Sequence, residues 1–390
     1  MPARRLPRTV LVLGGVSFCN DLASEMVTPL IPVLLAAVLG AGPVVLGAIE
    51  GLADAVAAAL KLWAGRRSDL WGGRRKPFVL AGYGLSNLVR PLLGIAGSWP
   101  AVAALRSLDR VGKGLRTAPR DALLADATTP EIRGRAYGFH RAMDNGGAMA
   151  GALFAAACLA WTPLSLAGVI LVSAVPGVLA ALLVAFGIAD RPAAEPPRTA
   201  APPLIWRSLA PELRRVLPLV GLFTLARASE TFVVLRGHEL GGGVAELLLL
   251  WAALSAMKAL AAWLGGGLSD RLGHGRTTGL AWLAFAVAFA FLALPATLAG
   301  LWAAGLAYGL LAGLGEGAER ALIGELAGPD QRGTAFGWYN AVVGAVALPG
   351  GLLFGGLWQA AGAAVAFASA AGLSALAAFL LLPVVLIKPR

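Results

Sequence analysis

The chain has 390 residues; 58% are hydrophobic, only 14% are charged, and the mean hydropathy is +0.76. A soluble domain averages roughly 45–50% apolar and about 25% charged residues, so a water-soluble enzyme would lack polar groups to cover its surface, and disorder is excluded by the same excess. Lys plus Arg is 32 and Asp plus Glu 21, a net of +11, which marks nucleic-acid binding on a soluble protein but cytoplasmic loops on a membrane protein.

A spanning helix needs about 20 mostly apolar residues. Twelve such stretches are predicted: 9–39, 44–64, 77–96, 101–122, 134–160 and 165–188, then 215–237, 244–266, 277–295, 300–322, 333–357 and 363–386. The opening basic residues and apolar run imitate a signal peptide. Asn20, Asp21 and Glu25 fall where a cleavage site wants small neutral residues, so a retained first span is expected.

Many spans carry charges, although each costs about 2.5–3.5 kcal/mol at a helix centre on insertion scales. Span 1 holds Asp21 and Glu25, four apart and on one face; Asp21 sits roughly 18 Å from the helix start, near mid-bilayer. Span 2 holds Glu50, Asp54 and Lys61, whose spacing returns to one face. Span 3 has Arg90 beside Asn87, and span 4 has Arg106, Asp109, Arg110, Lys113, Arg116 and Arg120. Span 5 has His140, Arg141 and Asp144; span 7 has Arg227 and Glu230, three apart; span 8 has Lys258; span 10 has Glu316, Glu319 and Arg320. Spans 6, 9 and 12 carry none. The third span of each group of three is therefore expected to face lipid while the others line an aqueous path.

The stretch 189–214, rich in Pro and charge, divides the chain into a bundle at 1–188 and a bundle at 215–390 and reads as a cytoplasmic linker. Loops on one side, 40–43, 97–100, 161–164, 238–243, 296–299 and 358–362, contain no Lys or Arg. The opposite side holds Arg66, Arg67, Arg74, Arg75, Lys76, Arg133, Arg135, Arg271, Arg276 and Arg332. Both termini are thus expected in the cytoplasm, and nucleic-acid binding loses its support. The halves are repeats: PEIRGRAYGFHRA at 130–142 aligns with PDQRGTAFGWYNA at 329–341. Parallel repeats of this kind place a binding site near the bilayer midplane. Cys19 and Cys158 lie in apolar stretches, with neither disulfide nor metal spacing, and no metal or cofactor is expected.

Twelve spans, a central linker and internal repeats together resemble the major facilitator superfamily of secondary transporters. The sharpest likeness is the loop between spans 2 and 3, with Gly65, Asp69, Gly72, Gly73, Arg74 and Arg75, and its second copy at Gly266, Asp270, Arg271, Gly273 and Arg276. Leu70 stands where the family has Arg, and Gly73 adds a residue. The resemblance implies that Asp69, Arg74, Arg75, Asp270, Arg271 and Arg276 form a cytoplasmic latch. It also implies that Arg106, followed by Gly112 and Gly114, is linked to proton coupling. Gly146, Gly147 and Gly151 are similar to the antiporter signature, with Ala152 in place of its Pro. The stretches 109–126 and 133–151 look like a prokaryotic subgroup with no shared known substrate.

The expected fold is an all-α membrane protein of two six-helix bundles in the cytoplasmic (inner) membrane of a prokaryote. The expected function is secondary transport of a small organic solute by alternating access, with the proton gradient as energy source. A carboxyl away from water holds a proton more readily, so Asp21 and Glu25, with Arg106, are expected to couple protons. Arg90, Asp109, Arg110, His140, Arg141, Asp144, Arg227 and Glu230 are expected to meet the solute, and the excess of basic groups favours negative charge on it. Export by antiport is the first expectation and uptake of an anionic or zwitterionic solute by symport the alternative. A channel or membrane enzyme is the remote one: the sequence has no phosphate loop, metal cluster or nucleophile–base pair. A monomer acting on a small molecule, protons and lipid is expected.

Overall fold

The computed structural model is helical throughout its described residues, 6–71, 74–189, 205–227, 229–314 and 318–386, apart from short turns and links. The side chains of residues 69, 130, 131, 133–135, 262–271, 328–333 and 386 lie outside that description. Among the described residues, ten helices are long and apolar enough to cross a membrane, from Arg8–Val38 and Pro43–Ser68 to Thr334–Ala361 and Ala363–Val385. Trp99–Asp126 and Pro130–Trp161 have 28 and 32 residues, ample to cross, but are not among those ten. They are predicted spans 4 and 5. Several helices begin with proline in the first turn, as at Trp99–Asp126 and Pro211–Ala226, where its missing N–H costs nothing.

Among the described residues, four of the predicted spans are interrupted. The first runs as an α-helix from Arg8 to Glu25, then through a 3₁₀ turn at Thr28–Leu30 that contains Pro29. The third tightens to 3₁₀ over Arg90–Ile95, with Pro91 in its first turn. The sixth divides at Ser173. The seventh ends as Pro211–Ala226 and resumes at Thr231–Glu239. Sequence spacing placed Arg227 and Glu230 on one helical face. Arg227 instead leaves the helix at φ −76°, ψ 90°, and Glu230 is the N-cap of the next segment.

The chain forms two compact units, Met1–Ile31 with Val56–Ala201, and Pro32–Ala55 with Pro202–Arg390. The expected division at the linker thus has a companion, because residues 32–55 group with the second unit. The first unit is cored by Val10, Leu13, Val16, Val79, Tyr83, Ala180 and Val184. The second is cored by Leu213, Val216, Val220, Phe223, Trp282, Ile323, Tyr339 and Leu381. Most of the predicted linker lies outside the described residues, but its end does not dangle. Leu209 is buried in the second core, Trp206 packs on it, and the helix begins at Pro211 rather than 215.

Glycines let backbones meet where water gives no help in packing helices. A Cβ on Gly147 would strike the carbonyl of Phe18, and one on Gly151 that of Leu22. The antiporter-like glycines therefore seat Pro130–Trp161 directly on the first helix. In the second unit Gly47 and Gly351 face each other with the same closeness. A Cβ on Gly350 would stand 3.3–3.4 Å from the backbone of Leu225 and Thr224, just before the break of the seventh span.

Candidate functional site

The first unit gathers three guanidinium groups on one carboxylate. Arg90 Nη2 donates to Asp109 Oδ1 at 3.0 Å, while Arg106 Nη1 and Arg110 Nε stand 3.7 and 3.6 Å from Asp109 Oδ2. Arg90, Arg106 and Asp109 are each 2% exposed. Asp109 also lends its backbone carbonyl to Ser86 Oγ at 2.8 Å, and Ser86 accepts from Arg116 at 2.6 Å. The Arg116 guanidinium lies 4.7 Å over the Tyr83 ring. Burying this much positive charge is tolerable only because each group is paired or hydrogen-bonded.

A polar chain leads from that cluster to the first helix. Arg90 donates to Asn87 Oδ1 at 2.8 Å, Asn87 to Asn20 Oδ1 at 3.4 Å, and Asn20 to Asp21 Oδ1 at 2.9 Å. Asp21 and Glu25 are half-buried, and Glu25 is the last α-helical residue before the interruption. The expected trio Asp21, Glu25 and Arg106 is thus spread along a network in which Arg106 faces Asp109, not Asp21.

His140, Arg141 and Asp144 do come together. Asp144 accepts a hydrogen bond from Ser17 of the first helix; His140 Nδ1 and Arg141 Nη1 lie 3.5 and 3.9 Å from its other oxygen. His140 is buried and the Arg141 side chain is 56% exposed.

The second unit is built differently. Its first helix breaks at Arg227, and the break is closed locally. The Arg227 N–H donates to the carbonyls of Phe223 and Thr224, and the Ser229 hydroxyl meets that of Thr231 at 2.8 Å. Around the break the carboxylates are engaged. Glu230 Oε1 lies 2.5 Å from Lys258 Nζ and accepts from Tyr308 Oη at 3.3 Å. Glu319 accepts from Tyr339 Oη at 2.7 Å and Trp282 Nε1 at 3.1 Å. The Arg227 side chain is exposed and, among the described residues, has neither an ion pair nor a hydrogen-bond partner. Glu319 and Asp54 lie within electrostatic reach of it.

Sequence reasoning did not include Glu319, Trp282, Tyr339 or Asp54 in the site. Their contacts join positions far apart in the chain. The one local signal was that Glu319 and Asp54 are charges inside apolar spans.

Of the expected latch, the side chains of Asp69, Asp270 and Arg271 lie outside the described residues, as do Gly72 and Gly73. Arg74 and Arg276 are exposed. Arg75 pairs with Asp126 at the end of Trp99–Asp126, within its own unit. Glu316 also lies outside the described residues.

Paired charges inside membrane-length helices, in a chain of two helical units whose leading helices break at equivalent places, define a transporter of solutes. This chain belongs to the major facilitator superfamily, whose family model matches residues 13–237 and 230–390. It is 32% identical over 366 residues to an uncharacterized MFS-type transporter of Methanocaldococcus jannaschii, covering 91% of this chain and 90% of that protein. In fold it is similar to the nucleoside transporter NupG, with a TM-score of 0.79, 13% identity, and 96% and 99% of the two chains covered. It is also similar to the human organic anion transporter MFSD10, with a TM-score of 0.69, 20% identity, and 96% and 99% covered. It is a multi-pass membrane protein of a family that moves small molecules.

Proposed function

We propose that this protein is a proton-coupled secondary transporter that moves a small organic solute bearing negative charge across a prokaryotic cytoplasmic membrane by alternating access. The observation that carries the reading is Arg227: an exposed guanidinium in a broken membrane helix, with no partner among the described residues. A charge at that depth is costly unless it meets water or a counter-charge, and a solute carboxylate or similar anion supplies one. Interrupted helices at matching places in two repeats point to the same region. Thr28–Leu30 and Arg227–Glu230 are such a pair, about 200 residues apart.

Asp21 and Glu25, just before the first interruption, are the proposed proton carriers. Export in exchange for protons is the proposed direction, supported by the glycine run of Gly146, Gly147 and Gly151 that resembles the antiporter signature.

A solute screen in energised inside-out vesicles tests the whole reading. An anionic solute should accumulate, the accumulation should collapse with the proton gradient, and Arg227→Gln should abolish it. Asp21→Asn with Glu25→Gln should leave only exchange without accumulation. Depletion in place of accumulation would reverse the direction, and full proton-driven transport by the double variant would remove the coupling assignment.

A further inference from the structure

We infer that His140 takes up a proton at Nε2, that Asp144 positions the ring to do so, and that this pair exchanges protons with Asp21 during transport. This rests on the reading of Asp21 as a proton carrier and adds the group that serves it. A Cβ on Gly14 would strike the Phe139 ring, one on Gly147 the Phe18 carbonyl and one on Gly151 the Leu22 carbonyl. The first helix and Pro130–Trp161 therefore run parallel in close contact, with residues 14, 18 and 22 beside 139, 147 and 151. At that seam Ser17 donates to one oxygen of Asp144, and His140 Nδ1 faces the other at 3.5 Å. The His140 ring is 4% exposed, and its Nε2 is buried with no hydrogen-bond partner among the described residues. Asp21 lies four residues after Ser17 on the same helix face, about 6 Å further along.

An ionised carboxylate only accepts hydrogen bonds, so the ring nitrogen that faces it carries the hydrogen. The neutral ring then presents its lone pair at Nε2, the arrangement by which a carboxylate prepares a histidine to act as a base. Uptake forms an N–H bond at Nε2 with a proton from hydronium, leaves water behind and gives the ring one positive charge. Asp144 favours that charge. Buried as it stands here, however, the new N–H has no acceptor among the described residues, and an unsatisfied buried donor is costly. The neutral ring thus suits the arrangement described, and the protonated ring suits one in which Nε2 reaches an acceptor. A proton that binds one arrangement better than another shifts the protein toward it, which is what coupling requires. Arg141 Nη1 also stands 3.9 Å from Asp144, but its side chain is half in water. Arg120 of Trp99–Asp126, bonded to Asp121 at 2.8–3.0 Å, and Asp21 of the first helix lie within electrostatic reach of Asp144. Leu166–Val172, which also packs on Pro130–Trp161, has no titratable residue. Histidine is the side chain whose ordinary pKa, about 6.5, lets it change charge in the physiological range.

The test is nitrogen NMR of the full-length protein in detergent, labelled with ¹⁵N-histidine. The chain has three histidines, His140, His238 and His274, so His140→Gln assigns the ring by the signals it removes. At pH 8 the His140 ring should carry hydrogen on Nδ1 and none on Nε2, and lowering the pH to 5 should protonate Nε2. Asp144→Asn should remove the preference for hydrogen on Nδ1, a change that loss of packing alone would not produce. Asp21→Asn should move the midpoint of Nε2 protonation by about half a unit or more, because the two sites are linked.

A ring that carries its hydrogen on Nε2 at pH 8, or that takes up no proton down to pH 5, overturns the inference. An unchanged midpoint in Asp21→Asn overturns the exchange with Asp21. The spectra need no solute, so they stand apart from the vesicle screen. A ring that behaves as expected, in a protein whose solute accumulation ignores the proton gradient, would remove the coupling reading and leave His140 a proton site; a ring that never titrates, beside proton-driven accumulation, would remove this inference alone.

Discussion

The two units hold their arginines in opposite ways. In the first, Arg90, Arg106 and Arg110 close on Asp109, and Arg116 is capped by Ser86 and Tyr83. In the second, Arg227 stands exposed with no such partner among the described residues, while Glu230 and Glu319 bond other side chains. The number of charges is therefore a poor guide to where a solute meets the protein. The guanidinium groups gathered on Asp109 in the first unit are committed to joining helices; in the second, Arg227 and Arg320 are exposed and make no ion pair or hydrogen bond among the described residues.

That contrast can be broken from either side. The largest effect is expected at Asp109. Its replacement in Asp109→Asn leaves three buried guanidinium groups facing a neutral amide, and removal of one partner from a buried ionic cluster costs about 3–5 kcal/mol. The variant should give little folded protein by size-exclusion chromatography in detergent; a wild-type melting profile would show that the cluster is dispensable. Glu319→Gln comes next. A hydrogen bond to a charged group contributes roughly 1.5–3 kcal/mol, and the amide presents a donor to one of two donors, Tyr339 or Trp282. Tryptophan fluorescence should shift as the Trp282 contact loosens.

Gly151→Val forces a side chain into the Leu22 carbonyl, an overpacking worth about 1–3 kcal/mol. Gly146→Ala is the matched control, because the nearest atom to its new methyl is the Phe18 ring at 3.8 Å; equal melting temperatures for the two variants would contradict the packing described. The smallest effect on stability is expected at Arg227. Arg227→Gln loses no hydrogen bond or ion pair among the described residues and should stay within about 0.5 kcal/mol of wild type while solute transport falls by an order of magnitude or more. A large stability loss there would mean that the side chain is structural.

Much of this architecture is legible in the sequence. The predicted spans fall on helical residues, the first as four segments and the tenth on either side of 315–317, and ten helices among the described residues are apolar and long enough to cross a bilayer. The charge-rich stretches 101–122 and 134–160 were read as spans despite their polarity, and they are helical from Trp99 to Asp126 and Pro130 to Trp161. The interruptions were less legible. Pro29 and Pro91 sit in the 3₁₀ turns of the first and third spans and could have signalled them. No Pro or Gly occurs from Arg227 to Glu230; at that break Ser229 meets Thr231 and the preceding turn lies close to Gly350 on a distant helix, which local sequence does not display.

Pairing was the least legible of all. Arg90 and Asp109 were both singled out as solute contacts, yet each is 2% exposed and they bind each other at 3.0 Å. Which charge is committed and which is open depends on partners on other helices.

The Arg90–Asp109 contact has a consequence for how the chain enters the bilayer. Trp99–Asp126 carries too many ionised groups to partition from the translocation machinery unaided, at about 2.5–3.5 kcal/mol for each centrally placed charge. Its predecessor, Lys76–Ile95, is apolar enough to insert and ends with Arg90 in its 3₁₀ turn. Three residues separate the two helices, so they can leave the ribosome as a hairpin. The base and the acid of one buried pair thus lie on helices that follow each other in the chain, and Arg90 is synthesised before Asp109.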